Sequence, residues 1–161
     1  MVSIALPKKI EERLKEEAER TGASEEELIV EALAKAFNEN LDPEVRIEIH
    51  LKLSEKFLKE AEEFLRKGDL TQASEKAWGA ASQIVKAFAA KEGRELRSHG
   101  ELHQQVAKID RQAKGEGIRS LWQSAGMLHQ NFYENWLPQE MVKANIEDVK
   151  KFVEKMKMLL K

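Results

Sequence analysis

The chain has 161 residues, 42% apolar and 35% charged, with 27 basic against 29 acidic side chains and no cysteine. That length sustains one compact core without a metal or disulfide, and the missing cysteines exclude thiol nucleophiles and thiolate metal sites. Net charge is −2, with 6 basic and 11 acidic residues over 1–42 and 21 and 18 over the remainder. Neither part has the bulk positive charge that draws a protein onto nucleic acid.

The opening run Met1-Val-Ser-Ile-Ala-Leu-Pro7 lacks the basic start and apolar stretch of a signal peptide. No apolar run reaches the ~18 residues of a membrane span. A soluble, cytoplasmic protein with no membrane partner is the expectation. Pro7 opens a first helix and Gly22 closes it. Ser24-Glu-Glu-Glu27 is a capping box for a second helix, which runs to about Asn38–Asn40. Asp42-Pro43 caps and starts a third, ended by Gly68; Asp69 restarts the chain as a fourth, lasting to about Gly93. Val45, Ile47, Ile49, Leu51 and Leu53 alternate as in a strand, but the Asp-Pro start and the following Phe57, Leu58, Ala61 favour helix. Ser98-His-Gly-Glu101 opens a fifth helix, stopping near Gly115 or Gly117. A sixth carries Ile118 to Trp136, with Ile118, Trp122, Ala125, His129, Phe132 and Trp136 on one stripe. Pro138 starts a seventh, whose stripe is Val142, Ile146, Val149, Val153, Met156 and Leu160.

Residues 2–38, with Ile4-Ala-Leu6-Pro7, Leu14, Ala18, Gly22, Ser24 and Glu31-Ala-Leu33, resemble a ribbon-helix-helix module. That resemblance implies a strand paired with its twin across a dimer and inserted into the DNA major groove. The positions that would face DNA are Ser3 and Ala5, neither of them basic, so dimerisation or packing is the expected role and DNA regulation an alternative.

Downstream, Leu65-Arg-Lys-Gly-Asp-Leu-Thr-Gln-Ala-Ser-Glu-Lys-Ala-Trp-Gly-Ala-Ala, Val85-Lys-Ala-Phe-Ala-Ala, Glu95-Leu-Arg-Ser-His99 and Leu128-His-Gln-Asn-Phe-Tyr-Glu134 together resemble the archaeal PaREP family. Its members belong with the HEPN-type helical bundles. The resemblance covers roughly 44–161 and is most specific over Gln72–Ala81. It implies a bundle of four or five helices that dimerises. Active HEPN members cleave RNA without metal, using an Arg and a His separated by four to six residues; others have lost the pair and act as binding partners. Here Arg94/His99 and Arg97/His103 have the spacing, but they lie at the start of the fifth helix. The region matching the family's motif, His129-Gln-Asn131-Phe-Tyr133, has no Arg nearer than Arg119.

The expectation is an all-α protein: a ribbon-helix-helix-like unit over 1–42, then an antiparallel HEPN-like bundle over 43–161. Its expected function is non-catalytic binding, as a homodimer, with a nucleotide, RNA or protein partner. Ligand-binding candidates are His129, Asn131, Tyr133 and Arg97. If the chain is a metal-independent ribonuclease, His129, His99 and Arg94 are the catalytic candidates. No metal or cofactor is expected: His99 and His103 share a helix face but bring no third ligand.

Overall fold

The computed structural model describes residues 3–161, and its described elements are all helical. In chain order they are α1 (Lys8–Thr21), α2 (Glu25–Ala36), α3 (Pro43–Arg66), α4 (Leu70–Lys91), α5 (His99–Gln112), α6 (Ile118–Glu134) and α7 (Gln139–Leu160). Every expected helix is present. Four of the caps use the residues the sequence marks, Ser98 among them, whose Oγ accepts the Glu101 N–H. Ser24 Oγ accepts the Glu27 N–H while Glu27 returns a bond to the Ser24 N–H, and Asp42 and Asp69 each accept an N–H three residues on.

The ribbon expected over Val2–Leu6 is corrected. Residues 3–7 carry no regular structure, no strand occurs among the described residues, and Val2 lies outside them. A strand needs a neighbour to pair with its N–H and C=O groups, and none stands beside residues 3–7 among the described residues. The alternation over Val45–Leu53 is helical. Ile49 and Leu53 of the run continue at intervals of four into Phe57 and Ala61, and these face α4 as one stripe.

Helix α4 is the centre of the molecule. Fourteen of its 22 residues are buried, because α3 covers one side while α6 and α7 cover others. A helix apolar nearly all round must lie inside, and the alanines of α4 let its neighbours approach closely. At Gly79 the approach of α3 is tight: an added Cβ would sit 3.1 Å from Phe57 Cδ2. Helices α6 and α7 run antiparallel on the other flank, with Ile118, Trp122, Ala125 and Leu128 facing Val142, Ile146, Val149 and Val153 across a single core.

The sixth helix ends at Glu134, two residues before the expected Trp136. Asn135 adopts a left-handed conformation (φ 49°), and the chain turns sharply into α7. Trp136 is therefore displaced from the stripe and is 59% exposed.

Helix α1 buries no residue and packs against α2. Helix α2 is held to the bundle largely by charge: Glu26 to Lys56 (2.7 Å), Glu31 to Arg46 (3.5 Å) and Glu27 to Lys86 (3.0 Å). No helix among the described residues is long and apolar enough to cross a membrane.

Candidate functional site

The residues singled out in the sequence fall into four places. His129 does meet His99: their rings lie 4.9 Å apart, on α6 and at the first turn of α5. Trp78 of α4 stacks on His129 at 4.6 Å, and Trp122 packs behind Trp78. Tyr133, 68% exposed, meets His129 edge-on at 5.4 Å and makes no hydrogen bond to it. The nearest carboxylate oxygen is Glu75 Oε2, 3.7 Å from His129 Nδ1; both atoms are buried and neither has a hydrogen-bond partner. Partial burial pushes the His99 imidazole below its ordinary value, and the neighbouring His129, His103 and Lys86 push the same way.

Asn131 does not belong to that cluster. It is fully buried and holds the end of α6: its amide donates to Ser74 Oγ (3.0 Å), and its oxygen accepts the N–H groups of Trp136 (2.9 Å) and Leu137 (2.8 Å). Its role is structural, since its oxygen serves the turn between α6 and α7 and its amide ties that turn to α4. Arg94 is also elsewhere, bonded to Glu92 (2.9 Å) and to Gln105. His103 accepts the indole N–H of Trp122 at 2.9 Å. Among the described residues no group of three or more His, Asp or Glu is gathered to hold a metal ion.

Arg97 leads to a different place. It lies at a cavity of about 250 Å³ between α2, α3, α4 and the segment joining α4 to α5. Polar groups from all four converge there: Glu27 and Glu31, Arg46 and His50, Lys86, and Glu95 with Arg97. The walls between them are apolar, formed by Leu28, Val30, Leu41, Ile49 and Leu96.

Its floor is a closed polar network. Lys86 Nζ bonds both carboxylate oxygens of Glu27 at 3.0 Å and also donates to the Gly22 carbonyl (3.2 Å). Gly22 offers that carbonyl from a left-handed turn (φ 71°), a conformation glycine adopts without strain. Gln83 Nε2 donates to Glu27 Oε2 at 2.8 Å, and Gln83 Oε1 meets His50 Nδ1 at 2.7 Å. Burial raises the Glu27 carboxyl, but the Lys86 charge, the Ser24 N–H, the His50 ring and the Gln83 amide outweigh it, and the carboxyl titrates below its ordinary range. For His50, burial lowers the imidazole more than Gln83 and Glu27 raise it, so the ring is neutral near pH 7.

Arg46 stands one turn before His50 on α3, with its guanidinium against Glu95 and Glu31 and its Nε donating to the Leu41 carbonyl (3.0 Å). The sequence reading missed this pair. Its signal was an Arg and a His four apart, placing both on one helix face, but they stood inside the run whose alternation suggested a strand. Glu27 was visible as a cap and Lys86 as a lone charge in an apolar stretch; their meeting across 59 residues was not.

An all-helical bundle around a central alanine-rich helix, with a polar cavity beside it, is the class these observations define. The family model of the archaeal PaREP1/PaREP8 family matches residues 49–153, and the chain belongs to that family. A crystal structure of a protein from Sulfolobus solfataricus is similar over 68% of this chain and 97% of that one, with 33% identity and a TM-score of 0.59. No curated protein matches the chain. His50, Gln83, Lys86, Glu95 and Arg97 lie inside the family match, while Arg46 and the α2 side of the cavity lie outside it.

Proposed function

We propose that this protein is a non-catalytic nucleotide-related binding protein, and that it takes the base of its ligand into the cavity between α2, α3 and α4. The carrying observation is the cavity itself: apolar walls with a few convergent polar groups, one of them a buried ion pair. Ligand sites are built in this way, apolar surface supplying contact area and a few polar groups fixing orientation. At about 250 Å³ it accommodates a small ligand. Arg97, whose side chain is 80% exposed at the rim, is positioned for a phosphate that stays outside. The HEPN-type reading of the bundle agrees with a nucleotide ligand, and the protein's family membership does not oppose it.

The expected assembly is a homodimer. Its support is the α1–α2 hairpin, where Ile4, Ile10, Leu33 and Phe37 are exposed large apolar side chains. Light scattering behind size exclusion tests this, and Phe37→Glu is expected to give a monomer.

Binding is tested by calorimetry with nucleosides and nucleoside monophosphates. Wild type is expected to bind, Arg97→Ala to lose affinity for the monophosphate alone, and Leu96→Trp, which fills the cavity, to lose both. No heat with any nucleoside or nucleotide removes the proposal.

One observation favours a second reading, metal-independent RNA cleavage. Arg46 and His50 bring a cation and a neutral imidazole to one cavity, the two groups such chemistry needs. Metal-free incubation with single-stranded RNA, comparing wild type with His50→Ala, His99→Ala and His129→Ala, decides it. Cleavage lost in His50→Ala makes the protein a ribonuclease, whereas intact RNA throughout leaves binding.

A further inference from the structure

We infer that His50 is the specificity-determining residue of the cavity, and that its Nε2 lone pair accepts a hydrogen bond from a ring N–H of the ligand, selecting a nucleobase of the guanine type. The inference rests on the binding reading above and assigns which ligand edge the site reads.

The chain of donors fixes the histidine tautomer. Glu27 is held ionised by Lys86 and can only accept hydrogen bonds. The amide group on Gln83 that faces Glu27 must therefore be the donor, Nε2, because its oxygen would meet a carboxylate oxygen there. That turns Gln83 Oε1 towards His50, and an amide oxygen only accepts, so His50 Nδ1 carries the proton. Nε2 is left with its lone pair. It has no hydrogen-bond partner among the described residues, it is not among the atoms sealed from solvent, and His50 is one of the residues lining the cavity. The acceptor is thus preset by groups on α2 and α4 before any ligand arrives, which lowers the ordering cost of binding.

Charge balance points to a neutral partner for it. The cations at the cavity are each paired with a carboxylate: Lys86 with Glu27, Arg46 with Glu31 and Glu95, and Arg97 with Glu95. Three positive charges meet three negative ones, so the floor holds no surplus to draw an anion inside. A flat, uncharged heterocycle between Leu41, Ile49 and Leu96 fits these walls, with its N–H directed at Nε2. A nucleobase with a protonated ring nitrogen, such as guanine, meets both demands. One whose ring nitrogen is an acceptor opposes Nε2 lone pair to lone pair.

The test uses guanosine and 1-methylguanosine, which lacks that ring proton, on the full chain by equilibrium dialysis. Guanosine is expected to bind wild type about tenfold more tightly than the methylated probe, and His50→Phe to abolish the difference. A second readout is independent of ligand: long-range ¹⁵N–¹H correlation of the imidazole is expected to show Nδ1 protonated and Nε2 bare. Wild-type affinity for guanosine is expected to fall on acidification, as Nε2 takes up a proton. The groups facing that titration are Glu27, Glu31, Arg46, Lys86, Glu95 and Arg97. Equal affinity for the two probes, or a ring protonated at Nε2, overturns this inference and leaves the binding reading standing. Failure of every nucleoside to bind wild type overturns both.

Discussion

The molecule holds two histidine-centred polar clusters on opposite terms. At the cavity floor, Glu27, Gln83, His50 Nδ1 and Lys86 answer one another donor for acceptor, so a buried charge pair stands with its bonds made. Beside Trp78, His129 Nδ1 and Glu75 Oε2 are buried 3.7 Å apart and make no bond. The difference teaches where polar side chains fix geometry. A satisfied network has one arrangement and orients what touches it; an unsatisfied pair leaves aromatic stacking to set position.

Breaking the first cluster has the largest expected effect. Glu27→Ala strands Lys86 in the interior and should cost about 3–5 kcal/mol in urea unfolding, whereas Glu27→Leu with Lys86→Met should recover most of that loss. If the single variant costs no more than the double, the network is not what holds α2 in place. Next is Asn131→Ala, which frees two N–H groups and Ser74; we expect a loss of about 1–3 kcal/mol and a less protected turn into α7. Third is pH. Neutral His50 and ionised Glu27 both have folded values below their unfolded ones, so the unfolded chain takes up protons first and stability falls on acidification. The loss begins just below the ordinary histidine value and continues through the carboxylate range. Urea midpoints measured across pH should show both steps, and His50→Gln should shrink the upper one to the part that belongs to His99. The smallest effect belongs to the second cluster. His129→Phe keeps the stacking on Trp78 and removes an unbonded nitrogen, so its unfolding free energy should change by less than about 1 kcal/mol.

The helices were legible because their signals are local. Ser24, Asp42, Asp69 and Ser98 each bond an N–H three residues away, and glycine closes the turns at positions 22 and 68. The cavity was not legible because its members come from residues 27, 46–50, 83–86 and 95–97, with nothing in their spacing to announce a meeting. Asn131 shows the converse error. A polar residue beside a histidine in sequence looked like a second binding group, yet on a helix it points into the core and serves the backbone. Of the nuclease candidates His99, His129 and Arg94, the two histidines meet, and Arg94 lies apart with Glu92 and Gln105.

Helix α1 makes a last point. It is 14 residues long, laced with exposed ion pairs such as Arg13–Glu16 and Arg20–Glu17, and it buries nothing. A helix of that length is marginal by itself, and α1 draws its tertiary support from α2. Its amides should therefore exchange with solvent deuterium through openings far smaller than global unfolding, well ahead of those of α4. The fold thus carries a lightly fastened flap in front of a rigid spine. Because the link through α2 is chiefly ionic, added salt should quicken exchange in the flap first.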